Sequence, residues 1–268
     1  MKRIITGITM GEPASISSEI TLKIWKNYRK KLDPFIFFGD PDHLINTCSK
    51  IKYEVPIKVI DEIKESFKVF NNYLPVYKIK LNQKIKFGSP SKKNISNVLY
   101  SINKVVKLAS KKKISCVVTN PVEKSIIKKK IKNFDGHTYY VAKLLGIKKP
   151  VMLLTSPKIS VVPITQHLSL RDALKSINKN LIIYTAKITN KYLKIFFGKK
   201  NPKIAVASLN PHAGDGGMFG DEEKKIIIPA IKKIKEKKIN ISGPYPADTI
   251  FSKKFLESFD AIICMYHD

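Results

Sequence analysis

Arginine is scarce in this sequence, since only Arg3, Arg29 and Arg171 occur among its 50 basic residues. A formal net charge of +29 would ordinarily suggest a nucleic-acid partner. Nucleic-acid sites, however, depend on arginine for bidentate contacts to bases and phosphates, and here lysine carries the charge along the whole chain. We interpret the lysines as a solvated surface and expect no nucleic-acid partner, although the positive field would favour an anionic substrate.

Long hydrophobic runs are also missing, because no apolar stretch approaches the roughly 18 residues that a membrane-spanning helix needs. Gly7 and Gly11 interrupt the first apolar stretch, which therefore does not resemble a signal peptide. Cysteine is limited to Cys48, Cys116 and Cys264, which are widely spaced and form no CxxC motif. The sequence predicts a cytoplasmic protein with reduced thiols and no membrane contact.

Short β-branched runs alternate with helical patterns along the chain. This alternation predicts an α/β fold in which helices cover both faces of a mostly parallel sheet. Helices are expected to begin near Ser17, near Ser91, after a capping Ser169 with a body over 173–193, and at the acidic run 221–223. The predicted strands cover residues 3–10, 34–38, 57–60, 114–119, 151–155, 159–165, 203–209 and 261–266.

At 268 residues the chain is long enough for two domains. No Gly/Ser-rich linker separates them, and the best candidate hinge lies between residues 120 and 136. We expect a first α/β/α domain at 1–128 that is rejoined by about 255–268, and a second one at 129–254.

Three of the five histidines directly follow predicted strands. His167, His212 and His267 each stand after an apolar run, and ligands of open α/β sheets bind beyond the carboxyl ends of strands. Three neutral imidazoles that converge there would hold a catalytic divalent metal with open coordination positions. Their spacing matches no local ligand motif, so hydrogen bonding to backbone is an alternative role for each. We interpret His43 as structural.

Two other features are candidates for the same region. Asp248 is a candidate fourth ligand or a carboxylate that orients a ligating imidazole, with an N-cap of the following helix as the alternative. The run after His212 contains Gly214, Gly216 and Gly217, whose backbone amides would approach an anion or a nucleotide. It lacks the GxGxxG order of a dinucleotide fingerprint, and a flexible loop is the alternative.

Seven segments resemble, in the same order, the signature blocks of the 4-hydroxythreonine-4-phosphate dehydrogenase family. The last two histidines lie in the most specific blocks, Asn-Pro-His-Ala-Gly and Met-Tyr-His-Asp. The segments are Gly-Glu-Pro-Ala at 11–14, Thr-Asn-Pro-Val-Glu-Lys at 119–124, Gly-His-Thr at 136–138, Thr-Gln-His-Leu-Ser-Leu at 165–170, Leu-Asn-Pro-His-Ala-Gly at 209–214, Gly-Pro-Tyr-Pro-Ala-Asp-Thr at 243–249 and Met-Tyr-His-Asp at 265–268.

The resemblance implies the isocitrate and isopropylmalate dehydrogenase-like fold, with two α/β/α domains, an active-site cleft between them and a homodimer whose contacts lie in the second domain. It also implies oxidation of 4-phosphooxy-L-threonine by NAD or NADP. The product, 2-amino-3-oxo-4-(phosphooxy)butanoate, would decarboxylate to 3-amino-2-oxopropyl phosphate, a step in vitamin B6 (pyridoxal phosphate) synthesis.

The resemblance also implies roles for particular residues. The three histidines at 167, 212 and 267 would bind one divalent ion, which is zinc, magnesium or cobalt, with ligands drawn from both subunits. His137 and Thr138 would contact the substrate, and Lys124 is a candidate contact to its phosphate. His137 and Asp248 are the candidates for catalytic roles, and the three glycines of the run after His212 for binding the cofactor.

Two features depart from the family pattern. The first block continues with Ser15 and Ser17 where the family has glycines, which puts close backbone approach by a ligand at these positions in doubt. The sequence also stops at Asp268, inside a block after which family members continue with further substrate-binding residues. If Asp268 is the natural end, we expect a truncated protein with weak or no turnover and low stability.

Three other functions are left open by the residues. A three-histidine site with metal-bound hydroxide would suit a hydrolase of a small phosphorylated substrate. A second alternative to the dehydrogenase is a truncated homologue that has no activity. A basic nucleic-acid-binding protein would bind DNA with a steep dependence on salt.

Overall fold

The computed structural model describes residues 4–132 and 134–267. The chain divides into two compact units, one ending at Pro150 and the other beginning at Val151. Among the described residues, none of the helices has both the length and the apolar character needed to cross a membrane.

The first unit contains a five-stranded sheet. All its strands pair in parallel, as predicted from the alternation of strands and helices. The strands are β1 (Thr6–Thr9), β2 (Phe35–Gly39), β3 (Ile57–Val59), β4 (Leu74–Lys78) and β5 (Cys116–Val118), in the order β3-β4-β2-β1-β5. The helices are α1 (Ser17–Tyr28), α2 (Pro41–Lys50), α3 (Ser66–Val69), α4 (Ile95–Ser110), α5 (Lys124–Lys128) and α6 (His137–Leu144).

The core of the first unit forms around β2, which is buried along its whole length. An interior strand of a parallel sheet is covered on both faces, which explains the unbroken apolar sequence of Phe35 to Phe38. On the neighbouring β1, Gly7 allows close packing of α4, because a Cβ there would lie 2.6 Å from the Cγ1 of Val105. This packing fixes the strand whose end leads into the first signature block.

The second unit contains another five-stranded sheet, in which only the short edge strand is antiparallel. Its strands are β6 (Leu154–Thr155), β7 (Ser160–Pro163), β8 (Ile204–Ala207), β9 (Ile241–Tyr245) and β10 (Ala261–Cys264), in the order β6-β7-β10-β8-β9. The helices are α7 (Leu170–Ser176), α8 (Lys179–Phe197), α9 (Ile228–Lys235), α10 (Ala247–Ile250) and α11 (Lys253–Leu256).

All eight predicted strands are confirmed; seven are shorter than predicted and β2 is shifted by one residue, while β4 and β9 were not predicted. Arg3, the expected first residue of β1, lies outside the described residues. The helix expected over 173–193 is wrong as a single element. The first helix ends at Ser176, with the extended Ile177 as its C-cap. Asn178 then begins α8, because its side chain accepts a hydrogen bond of 3.0 Å from the backbone amide of Leu181.

The division into units differs from the expected one. The boundary lies at 150 and not at 128. The segment 255–268 was expected to return to the first domain, but its strand β10 pairs with β7 and β8 in the second sheet. Strand order, which decides this pairing, is set by tertiary contacts that the local pattern does not reveal.

Candidate active site

The three candidate metal ligands follow three adjacent strands of the second sheet. β10 lies between β7 and β8 and runs parallel to both, so the carboxyl ends of the three strands meet at one edge. His167 follows β7, His212 follows β8 and His267 follows β10, and all three residues are exposed in the single chain. The predicted position of each histidine at the carboxyl end of a strand is confirmed.

His167 and His267 lie side by side, with 5.8 Å between their ring centroids. The loops that carry them are joined by two hydrogen bonds. The hydroxyl of Thr165 donates to the carbonyl of Met265 at 2.9 Å, and one residue nearer the strands the amide of Ile164 donates to a carbonyl of β10 at 2.8 Å. His167 itself has a φ of 52°, a left-handed conformation that non-glycine residues rarely adopt. The pair is held by the sheet and by the loops that extend it.

His212 lies on a loop with an unusual backbone. All five residues from His212 to Gly216 have positive φ, at 50°, 55°, 83°, 38° and 66°. Such conformations strain non-glycine residues by roughly 1 kcal/mol or more and collect at functional sites. Within the described residues, no three His, Cys, Asp or Glu side chains are arranged to hold a metal ion. A single chain therefore brings His167 and His267 together without adding His212 to form a three-ligand group.

The glycine run packs against its own flanking residues. Gly214 has a φ of 83°, and a Cβ there would lie 2.9 Å from the Oε2 of Glu223. Gly216 has open space around it, while its carbonyl accepts a hydrogen bond from the ammonium of Lys224. A Cβ at Gly217 would lie 3.1 Å from the Nζ of Lys224. Local packing thus accounts for glycine at 214, the φ of 108° favours glycine at 217, and open space remains at 216.

Glu223 is a buried carboxylate that the sequence analysis did not single out, with 2% of its surface exposed. Its Oε1 accepts hydrogen bonds of 2.8 Å from the backbone amides of Leu209 and Asn210, and its Oε2 accepts one of 2.9 Å from the Asn210 side chain. Burial by itself would raise the pKa of this carboxyl, but the hydrogen bonds from Asn210 and Leu209 outweigh it and lower the pKa. Glu223 is therefore an ionised anchor for the loop that leads to His212.

His267 borders a cavity of about 450 Å³ that lies within the second unit, and Ala247, the residue before Asp248, also lines it. Asp248 is exposed and is the second residue of α10, where its carboxylate accepts a 3.0 Å hydrogen bond from Thr249. It is not the N-cap, which is Pro246. The cavity is lined mainly by apolar side chains at the strand ends and by Cys264, whose burial raises the pKa of its thiol to about 11. That thiol is protonated at neutral pH and is not a nucleophile.

In the first unit, Lys124 is the first residue of α5, and His137 and Thr138 begin α6. A Cβ at Gly136, the N-cap of α6, would lie 3.7 Å from the ammonium of Lys124. The Nε2 of His137 is buried and has no hydrogen-bond partner among the described residues. Burial, and secondarily the charge of Lys124, lowers the pKa of His137, which is therefore neutral at pH 7. A cation, a helix N-terminus and an unpartnered ring nitrogen together suit an anionic ligand.

The serines that replace family glycines have different surroundings. Ser17 is buried and its hydroxyl donates a hydrogen bond of 3.0 Å to the carbonyl of Pro121, whereas Ser15 is exposed. The backbone amide of Glu12 also donates to Pro121, at 2.8 Å. Ser17 thus joins the first two signature blocks. His43 is buried at the start of α2, and this position agrees with its structural interpretation.

Known proteins resemble this chain over almost its whole length. The sequence profile of the family described as "Pyridoxal phosphate biosynthetic protein PdxA" matches residues 30–268. The 4-hydroxythreonine-4-phosphate dehydrogenase of Bradyrhizobium diazoefficiens is 36% identical over 273 residues, which cover 97% of this chain and 79% of the relative. The protein of the same name from Caulobacter vibrioides is 33% identical over 267 residues, with the same coverage of both chains.

A solved structure is also similar to this chain over its full length. The crystal structure of 4-hydroxythreonine-4-phosphate dehydrogenase from Klebsiella pneumoniae matches with a TM-score of 0.90 and 28% sequence identity. The match covers 100% of this chain and 82% of that one. The α/β fold with parallel sheets is therefore shared with this dehydrogenase.

Proposed function

The chain belongs to the PdxA family of pyridoxal phosphate biosynthetic proteins, and we propose that it oxidises 4-phosphooxy-L-threonine with NAD or NADP. The secondary alcohol loses a hydride to the nicotinamide and its hydroxyl proton to a base, which gives 2-amino-3-oxo-4-(phosphooxy)butanoate. This β-keto acid then loses carbon dioxide to form 3-amino-2-oxopropyl phosphate. The observation that carries the proposal is the similarity to named dehydrogenases over 97% of the chain.

The parallel sheets also support a finer assignment of the fold. We assign the chain to the isocitrate and isopropylmalate dehydrogenase-like class, because each unit combines a five-stranded sheet with several helices. Fold alone does not specify chemistry, so the functional argument depends on the residues of each unit.

Recognition of the substrate phosphate is assigned to Lys124, His137 and Thr138. Lys124 supplies a mobile positive charge, and the first turn of α6 supplies backbone amides that favour an anion. His137 has a free ring nitrogen and a lowered pKa, so it is able to accept either a hydrogen bond or a proton. We therefore give His137 two possible tasks, contact with the substrate and proton transfer.

A divalent ion held by His167, His212 and His267 is the second part of the proposal. Two imidazoles 5.8 Å apart fit a pair of ligands to one ion, but the described residues of one chain do not complete the set. When bound, such an ion supplies positive charge that favours loss of the alcohol proton and polarises the new ketone. Imidazole nitrogen suits zinc or cobalt better than magnesium.

We propose that a homodimer completes the metal site. Apolar side chains stand exposed beside both loops that would have to meet. Leu168 and Leu170, next to His167, are 51% and 60% exposed, and Met218, on the loop of His212, is 76% exposed. Exposed apolar groups clustered around incomplete ligand sets are the residues that an interface between two copies would bury.

We assign the glycine run after His212 to the cofactor and Asp248 to the chemistry of the site. Gly216 has open space around it and is the position in the glycine run where a nucleotide can approach the backbone. Gly214, by contrast, is needed for packing against Glu223, and the φ of 108° favours glycine at 217, whether or not a cofactor binds. Asp248 is exposed and directly follows Ala247, which lines the same cavity as His267, so we propose it as a catalytic carboxylate or an additional ligand.

The location proposed for the protein is the cytoplasm. Its three cysteines are all unpaired in the structure. Free thiols of this kind suit a reducing compartment, where cofactor-linked biosynthesis also occurs.

Two assays on one sample test the proposed function. The purified chain is incubated with 4-phosphooxy-L-threonine, NAD or NADP, and zinc or cobalt. We expect formation of NADH or NADPH that requires the substrate and stops when a chelator is added. Release of inorganic phosphate without reduction of the cofactor would instead support the hydrolase, which the family similarity does not favour.

A further inference from the structure

We propose that Glu223 is a positioning residue that holds the His212 loop in its strained conformation. The inference depends on the proposed role of His212 as a metal ligand. Glu223 itself is buried. It lies in a π-helical turn, Glu223–Ile227, that precedes α9, and its carboxylate points back to the loop after β8.

The carboxylate contacts the loop on both sides of His212. Upstream of His212, the carboxylate accepts hydrogen bonds of 2.8 Å from the backbone amides of Leu209 and Asn210. Downstream, the α-carbon of Gly214 passes so close that an added Cβ would lie 2.9 Å from Oε2. The segment between these contacts contains Pro211, which has no amide hydrogen to donate. Glu223 is thus the shared anchor for both ends of the segment that carries His212.

The anchor also sets the orientation of the Asn210 side chain. The Nδ2 of Asn210 donates to Glu223 at 2.9 Å and to the neighbouring Glu222 at 2.7 Å. A carboxylate accepts hydrogen bonds at both oxygens, whereas glutamine would present an NH₂ group to one of these donors. The chemistry of the site therefore requires glutamate and not its neutral isostere.

Strain explains why such an anchor is needed. Three of the five consecutive residues with positive φ carry a Cβ, namely His212, Ala213 and Asp215. Such a loop relaxes to other conformations unless surrounding contacts hold it. Loss of the anchor is therefore expected to move His212 away from its binding position while leaving the sheet intact.

The experiment compares the wild-type chain with Glu223→Gln, Glu223→Ala and, as the matched control, Glu236→Gln. Glu236 is exposed and follows the same helix α9. Cobalt binding is followed by titration and by the visible absorption of the bound ion. Hydrogen exchange reports on the amides of Leu209 and Asn210 without any metal. Circular dichroism confirms that each variant is folded.

We expect cobalt affinity to fall about tenfold or more in both Glu223 variants, with a changed absorption spectrum and faster amide exchange, and to stay unchanged in Glu236→Gln. If Glu223→Ala does not fold, the isosteric Glu223→Gln decides. Equal cobalt affinity and an equal spectrum in wild type and Glu223→Gln would overturn the role of Glu223 alone. A wild-type chain that binds neither cobalt nor zinc would overturn the metal assignment, and this role with it.

Discussion

The hydroxyl of Thr165 donates a buried hydrogen bond of 2.9 Å to the backbone carbonyl of Met265. Each partner stands two residues before a candidate metal ligand, His167 in one loop and His267 in the other. The bond continues the pairing of β7 with β10 past the end of the sheet. It fixes the separation of the two loops and therefore the 5.8 Å between the two imidazole rings.

Replacement of Thr165 by valine tests this link. The variant keeps the shape of the side chain but leaves the Met265 carbonyl buried without its donor, which costs about 1–3 kcal/mol of unfolding free energy. We also expect weaker zinc binding, because the two loops are no longer held at one separation. Urea unfolding and zinc titration measure the two effects.

The matched control is Thr155→Val. The Thr155 hydroxyl also forms a hydrogen bond, of 2.9 Å to Ser160, but the pair is exposed to water. Loss of this bond should change stability by less than about 0.5 kcal/mol and leave zinc affinity unchanged. Equal effects of the two substitutions would show that the Thr165 bond has no special part in holding the ligands.

Alanine substitutions at Gly214 and at Gly216 distinguish the cost of a steric clash from the cost of backbone strain alone. Both glycines have positive φ, but only at Gly214 would a Cβ meet the Glu223 carboxylate, at 2.9 Å, and the Gly220 carbonyl, at 3.1 Å. We expect Gly216→Ala to cost about 1 kcal/mol of unfolding free energy and Gly214→Ala clearly more. Thermal unfolding of both variants decides the order, and the reverse order would contradict the packing described for Glu223.

Gly216→Ala also tests the cofactor assignment. If the open backbone at Gly216 contacts the dinucleotide, Gly216→Ala raises the KM for NAD or NADP by about an order of magnitude while the KM for the phosphorylated substrate stays the same. An unchanged KM for the cofactor would remove Gly216 from its binding site.

Lys124 is predicted to act through its charge on the substrate phosphate. Lys124→Met should raise the KM for the phosphorylated substrate about tenfold or more, with a smaller change in kcat. Lys129→Met serves as the control, since Lys129 is an exposed lysine just beyond the same short helix. Steady-state kinetics at constant ionic strength distinguish the two, and a similar KM in both variants would mean that only the general positive field matters.

Acid should destabilise the fold through His43, which is buried, and His137, which is half-buried. Burial lowers the pKa of His43 and of His137. The unfolded chain, whose imidazoles titrate near 6.5, therefore binds protons that the folded chain does not bind. The unfolding free energy is unaffected by these groups above that pH and falls as pH drops through it.

His137→Asn should flatten this part of the pH profile. Urea unfolding at several pH values between about 5 and 8 measures the slope in wild type and variant. The variant is expected to lose less stability on acidification than the wild type does. Parallel profiles for the two proteins would indicate that His137 titrates with an ordinary pKa in the fold.

Much of the fold was readable from local pattern. Eight apolar β-branched runs form strands. Seven of them pair in parallel with a neighbour, an arrangement that such sequences suit, and the eighth, β6, is an exposed antiparallel edge strand. The two missed strands contain residues that ordinarily argue against a strand. β4 has Pro75 in its second position, and β9 contains Gly243 and Pro244. Tertiary pairing with neighbouring strands overrides that local preference.

The candidate site was predicted in part. The strand-end positions of His167, His212 and His267 follow from apolar runs, but their proximity depends on the order β7-β10-β8, which no local pattern encodes. Glu223 was interpreted as one of three acids that favour a helix N-terminus. Its actual role at the Asn210 loop depends on a π-helical turn and on contacts 13 and 14 residues away.

The central proposal for this protein is a dehydrogenase site that two copies of the chain share. Mixed dimers test this proposal directly. His212→Ala and His267→Ala chains are each inactive when alone, and they are co-expressed to form heterodimers. If His212 of one copy joins His167 and His267 of the other, each heterodimer has one intact site and the mixture regains about a quarter of wild-type NAD or NADP reduction. No recovery, from heterodimers shown to have formed and with an active wild-type control, would contradict the shared site.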